Sequence, residues 1–168
     1  MAKTYEPIQS QTLGSANASV TFSSIPQTYT DLILVSFFGT TTLNEDAFVR
    51  FNGDTGSNYS RTSLRGNGSS AFSARSSNQT SCLIDLDAAG STLDTGLQII
   101  TQIFNYSNSS VYKSLLSRSG TLGGSYTGTT ALGGLWRSTA AITTLLVNCT
   151  NNTFISGSSF TLYGVKSA

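Results

Sequence analysis

FVRFNGDTGSNYSR, residues 48–61, places a dense polar turn directly after an alternating apolar run, and its reading decides the fold. Asn52, Asp54, Ser57 and Asn58 offer side-chain oxygens, interleaved with Gly53 and Gly56. Such a stretch either holds a cation or connects two strands. A calcium loop of EF-hand type needs acidic residues at alternating positions and a terminal bidentate Glu. This stretch has one carboxylate, Asp54, and no Glu. Asn-Gly after an alternating run is a strong hairpin signal, because both residues tolerate positive φ. The stretch is therefore expected to be a hairpin turn with no metal site, and GNG at 66–68 repeats the same chemistry one strand later.

That punctuation recurs along the chain. No window holds a 3.6-residue period, and short β-branched or aromatic runs alternate with Gly, Asn, Ser and Asp clusters, which is the pattern of an all-β sandwich or barrel. Strands are expected at 19–23, 31–38, 47–51, 59–64, 71–75, 81–85, 97–106, 111–117, 132–137, 142–147 and 159–165. Pruned of the weakest runs, this gives about eight to ten strands. In the last run Phe160, Leu162 and Gly164 share one face and Thr161, Tyr163 and Val165 the other. Neither face is strongly polar, so the strand is expected to be covered on both sides, by the core and by a neighbouring subunit. Residues 120–134, GTLGGSYTGTTALGG, read as a long flexible loop. Residues 1–18 lack a strand pattern and read as an N-terminal arm on a single domain, 19–168.

Composition narrows the function. Net charge is +1 and charged residues are 10% of the 168, well below the usual quarter. A nucleic-acid backbone calls for a clustered basic face, so no nucleic-acid partner is expected. No run approaches the ~18 apolar residues of a membrane span, and MAKTYEPIQS lacks the apolar segment of a secretory signal. Cys82 and Cys149 are therefore expected to be reduced and buried.

The chain has no His, which removes Ser-His-Asp and Cys-His nucleophiles and the usual neutral-pH base. Asp85 and Asp87 are two apart on one strand, so they cannot flank a glycosidic bond from opposite sides. They read as a solvated strand end leading into the turn at 88–91, and Glu45–Asp46 is merely an adjacent pair. No catalytic residue, metal or cofactor is expected. Amphipathic aromatics remain as binding groups. Tyr5, Tyr106, Tyr112, Tyr126, Trp136, Arg137 and Tyr163 are the candidate partner contacts, although Trp136 reads first as a core or inter-sheet residue.

VTFSSIPQTYTDLILV (20–35), RFNGDTGSNYSRTSLRGNGSS (50–70), NYSNSSVYKSLLSRSG (105–120), LWRSTAAITTLLV (135–147) and GSSFTLYGVKSA (157–168) together resemble a family of small virion structural proteins of tailed bacteriophages, including those of cyanobacterial and marine hosts. The resemblance implies a jelly-roll β-sandwich with no catalytic residues, assembled in the bacterial cytoplasm and resident in the virion. Within that family the resemblance spans head and tail proteins, and because no sequence cluster gathers the aromatics, the reading expected is a capsid decoration (cement) protein that binds the major capsid protein and copies of itself, as in a trimer. The alternative it leaves open is a tail-fibre, spike or baseplate module that binds host glycan.

Overall fold

Period-two alternation gives each strand one inward face. In the run from Asp31 to Phe38 the buried positions are Leu32, Leu34, Ser36 and Phe38, and in the run from Leu97 to Phe104 they are Leu97, Ile99, Thr101 and Ile103. The structure, a computed structural model, describes residues 4–43, 45–86, 90–121 and 128–166. Among these residues are twelve strands and no helix. They are β1 (Tyr5–Thr12), β2 (Ser19–Phe22), β3 (Asp31–Phe38), β4 (Ala47–Phe51), β5 (Tyr59–Gly66), β6 (Ala71–Gln79), β7 (Cys82–Asp85), β8 (Leu97–Phe104), β9 (Lys113–Thr121), β10 (Gly128–Trp136), β11 (Leu145–Cys149) and β12 (Ser159–Val165).

Two antiparallel sheets result, one ordered β1-β12-β3-β8-β9-β10-β5-β6 and the other β2-β11-β4-β7. This is the all-β sandwich expected, with more strands than the eight to ten foreseen. Buried side chains from both sheets fill the space between them. Phe38, Phe154 and Phe160 close one end of this core, with ring centroids 4.9 to 5.7 Å apart. Phe51, Tyr59 and Trp136 close the other, at 5.4 to 6.3 Å. The wider sheet extends past the narrower one, and its last strand, β6, is exposed along nearly its whole length.

Three expectations need correction. First, Tyr5–Thr12 is no loose arm: β1 pairs with β12 from Tyr5↔Val165 to Thr12↔Ser159. Ile8 and Leu13 pack on the core, and Tyr29 lies flat over Gly164, where a Cβ would meet the ring at 2.4 Å. Second, residues 120–121 and 128–134 of the Gly- and Thr-rich stretch belong to the β9–β10 pair, joined in register from Gly128↔Thr121 to Trp136↔Lys113, while 122–127 lie outside the described residues. Glycine is required at 134 because a Cβ there would lie 2.3 Å from Cys82 Sγ across the sandwich. Third, the Asn52-Gly53 turn makes no hairpin, since β4 pairs with β11 and β7 while β5 pairs with β6 and β10. It is a corner that carries the chain from one sheet to the other. The GNG hairpin does form, between β5 and β6, with Asn67 Oδ1 accepting from the backbone N–H groups of Ser69 and Ser70.

Candidate functional site

The polar groups of the 52–58 corner are bound to the protein itself. Asn52 and Gly53 adopt φ of 52° and 68°, the left-handed conformation that Asn and Gly reach most cheaply. Asn52 Oδ1 accepts from the N–H groups of Thr143 and Thr144 at 2.9 and 3.1 Å, and its amide donates to Ala141 O at 2.8 Å. Asp54 accepts from Gly56 N, from the Asn58 amide and from the Trp136 indole N–H at 2.8, 2.9 and 2.6 Å. Burial raises the Asp54 carboxyl, but the bonds from Trp136, Asn58 and Gly56 together outweigh it and hold the group below its usual value. The corner carries shape. Asn52→Ala loses these bonds and strains the backbone, at an expected cost of about 2 kcal/mol. Asn52→Gly, free of the strain, is expected to cost about 1 kcal/mol less in urea denaturation.

The candidate contacts fall into different places. Trp136 and Tyr106 are buried, at 3% and 0% exposure; this agrees with the inter-sheet core reading of Trp136 and corrects the reading of either as a partner contact. Trp136 is locked by Asp54 and the Phe51–Tyr59 cluster. Tyr106 donates to Pro26 O and accepts from Tyr29 N, pinning the segment before β3. Arg137 Nη2 ties Ser57 O to Asn78 Oδ1, bracing the corner against β6. Tyr163 is half-buried on the outer face of β12. Tyr5 and Tyr112 are exposed, but they lie on β1 and just before β9, four strands apart across the sheet. Tyr126 and Asp87 lie outside the described residues. Cys82 and Cys149 are free and buried as expected, and burial pushes the Cys82 thiol up to about 12.

Lys113 and Asp85 are among the buried ionisable groups that sequence reasoning missed. Lys113, 1% exposed, donates from Nζ to the carbonyls of Asn108, Val111 and Thr139 at 2.5, 2.7 and 3.0 Å. Its burial lowers its pKa. Asp85 is fully buried, not a solvated strand end. Ser119 Oγ donates to its Oδ1, while Oδ2 has no partner among the described residues. A register shift in the β4–β7 pairing, where Ala47 faces Asp85 and Phe48 faces Leu83, turns Asp85 inward after Ile84.

What faces solvent is the outer surface of the eight-stranded sheet. Val35, Ile100, Leu64 and Leu116 are 38 to 61% exposed there. The register aligns Val35, Ile100, Arg118, Ala131 and Leu64 in one row across five strands, roughly 19 Å at the usual strand spacing. A trough of about 400 Å³ runs along this row between Val35, Ile100 and Arg118. It opens at one end of the sheet into a cavity of about 670 Å³, bordered by Phe37, Asn67, Asp94, Gln98 and Thr129. Glycines 66, 120 and 128 keep that cavity open. Among the described residues, no three or more of His, Cys, Asp and Glu gather as metal ligands. Apolar side chains line the trough, and the Gln98 and Asn67 amides, the Arg118 guanidinium and the Asp94 carboxylate stand around the two spaces. No protein-family model matches this chain, no curated protein matches it, and no solved structure does.

Proposed function

We propose that this chain is a non-enzymatic virion structural protein, a decoration protein that clamps major capsid subunits of a bacteriophage head. The observation that carries the reading is the broad outer face of the large sheet, on which Val35, Ile100, Leu64 and Leu116 stand exposed, three of them in one row across the strands. Exposed apolar patches of that kind mark contact surfaces. The carboxylates support a role without catalysis, since Asp54 and Glu45 accept several protein hydrogen bonds each and Asp85 is sealed in the core. The strand order supports a jelly-roll reading, in which β1, β2, β3, β4, β7, β8, β11 and β12 would form the eight-strand roll. The hairpins β5–β6 and β9–β10 then widen one of its sheets. A long, exposed edge at β6 fits assembly with further copies of the chain.

Quantitative mass spectrometry of purified particles, with antibody labelling, tests this reading. A copy number that tracks the head lattice supports it, and a few copies confined to the tail overturn it. Leu64→Lys with Leu116→Lys is expected to shift stability by no more than about 1 kcal/mol, since both sites are exposed, while abolishing head occupancy. Full occupancy by the double variant would rule out this face as the clamp.

A second reading, a glycan-binding tail module, draws support from the open end cavity with Asn67, Asp94, Gln98 and Thr129 on its walls. It no longer rests on Trp136 or Tyr106. Binding to a panel of neutral host-surface glycans, lost in Gln98→Ala, is its test.

A further inference from the structure

Among the described residues the two sheets end in the edge strands β1, β6, β2 and β7, and all but β6 are blunted. β1 carries Pro7, which has no N–H to offer, and a register shift between Pro7 and Gln9. β2 and β7 are only 4 residues long. Along β2 the Gln11 and Gln9 amides donate to Thr21 O and Ser23 O at 2.8 and 3.4 Å. Short strands, proline, bulges and side-chain cover are the usual defences against pairing at a sheet edge.

β6 lacks these defences over most of its length. It has 9 residues, no Pro and Arg75 as its sole charged side chain, and every position except the half-buried Ser76 is exposed. Its pairing with β5 keeps one register from Ala71 to Ser76 and shifts only beyond. There Asn78 turns left-handed at φ 56°, and Gln79 Nε2 donates to Ser77 O at 2.9 Å, which ends the regular edge. The outward N–H and C=O groups of 71–76 form a straight row that another strand can extend.

We propose that β6 pairs antiparallel with β6 of a second copy, about a two-fold axis through Ala74. Ala74 faces the buried Ser63 across β5, so Phe72, Ala74 and Ser76 share the inner face, and Ser73 and Arg75 the outer. Centred on Ala74, the pairing sets Arg75 against Ser73 of the partner subunit and Phe72 against Ser76 of the partner subunit. Centred on Arg75, it would set two guanidinium groups directly opposite, which is repulsive. The Phe72 ring, 50% exposed and 5.8 Å from the Arg65 guanidinium, gains a diagonal contact with Ala74 of the partner subunit. Pairing β6 with β1 of the next copy, which would close a ring such as a trimer, meets Pro7 and its bulge. A ladder over 72–76 supplies about four to six backbone hydrogen bonds, at the small end of the range for protein interfaces. The axis stands upright on the sheet, so both outer faces look the same way and the row from Val35 to Leu64 continues into its copy. The inference rests on the reading that copies of this chain assemble, and not on where in a particle they do so.

The test is sedimentation equilibrium of the full chain at up to about 100 µM, with disulfide trapping as a second readout. The parent is expected to show a monomer–dimer equilibrium, and Ala74→Lys to weaken it at least about tenfold by placing two like charges on the axis. Because Ala74 is exposed, the dilute variant should melt with the dilute parent. Under mild oxidation Ala74→Cys is expected to form a linked dimer, since facing Cα atoms of an antiparallel pair lie within disulfide reach. Ala71→Cys, whose copy lies roughly 20 Å away along the ladder, should stay unlinked, and the native thiols are buried. A parent that stays monomeric, a dimer indifferent to Ala74→Lys, or linkage at 71 as fast as at 74 would each overturn the pairing. Head occupancy is read separately: a solution dimer missing from heads overturns the decoration reading alone, and a monomer at full occupancy overturns the pairing alone.

Discussion

Asp85→Asn is expected to flatten the pH dependence of stability and to make the protein more stable than its parent at pH 8. The Asp85 carboxyl is pushed up to about 7, chiefly by burial, with the nearby Asp46 carboxylate adding to the effect. Hydrogen bonds from Ser119 and the Leu86 N–H, and the charge of Arg65, pull it the other way without prevailing. Between about pH 4 and 7 the folded chain therefore keeps a proton that the unfolded chain has released. Stability from this group is greatest below about pH 4. It falls by about 1.4 kcal/mol per unit as pH rises through that window, and is level above it. The full swing is at most about 4 kcal/mol. Asn keeps the acceptor for Ser119 and carries no charge, so the variant's advantage should grow from pH 5 to pH 8 in urea denaturation. Parallel pH profiles for variant and parent would show that the carboxylate is not buried as described.

Trp136→Ala is expected to cost about 3–5 kcal/mol, the usual range for deleting a buried aromatic. The ring stacks with Tyr59 at 6.3 Å, meets a tilted Phe51 at 5.4 Å, and donates from its N–H to Asp54 at 2.6 Å. Asp54→Ala leaves the indole, Asn58 and Gly56 donors without their acceptor, at about 1–3 kcal/mol. Because both changes delete one shared bond, the double variant should cost about 1 kcal/mol less than the sum of the two. If Trp136 were instead a docking residue, its loss would leave the melting temperature unchanged and reduce particle occupancy. The cycle separates the two roles.

Strand positions were largely legible in the sequence. The runs at 31–38, 47–51 and 159–165 coincide with β3, β4 and β12 to the residue, because alternation with β-branched and aromatic residues is a local property. β1 was missed because YEPIQSQT carries Pro7 and few apolar side chains, as befits an exposed edge strand. The strand expected at 132–137 starts earlier, at Gly128, because the register of β10 against β9 and β5 continues to Gly128 and Thr129, which local glycine content does not foretell. Asn52-Gly53 gave the backbone conformation correctly but not the pairing, which depends on β11 lying beside β4. Spacing distinguishes no exposed tyrosine from a buried one. Nor does it foretell a core lysine such as Lys113, whose three acceptors come from residues 108, 111 and 139.

Tyr5 and Val165 face each other across β1 and β12, and Lys166 grips Glu6 at 3.1 Å beside them. Tension that drew residues 4 and 166 apart would open this seam like a zip, breaking its rungs one after another instead of loading them together. Resistance to such a pull is that of one rung at a time, however firm the core. A molecule of this build bears mechanical stress well when pressed broadside across its sheets and poorly when hauled by its two tails.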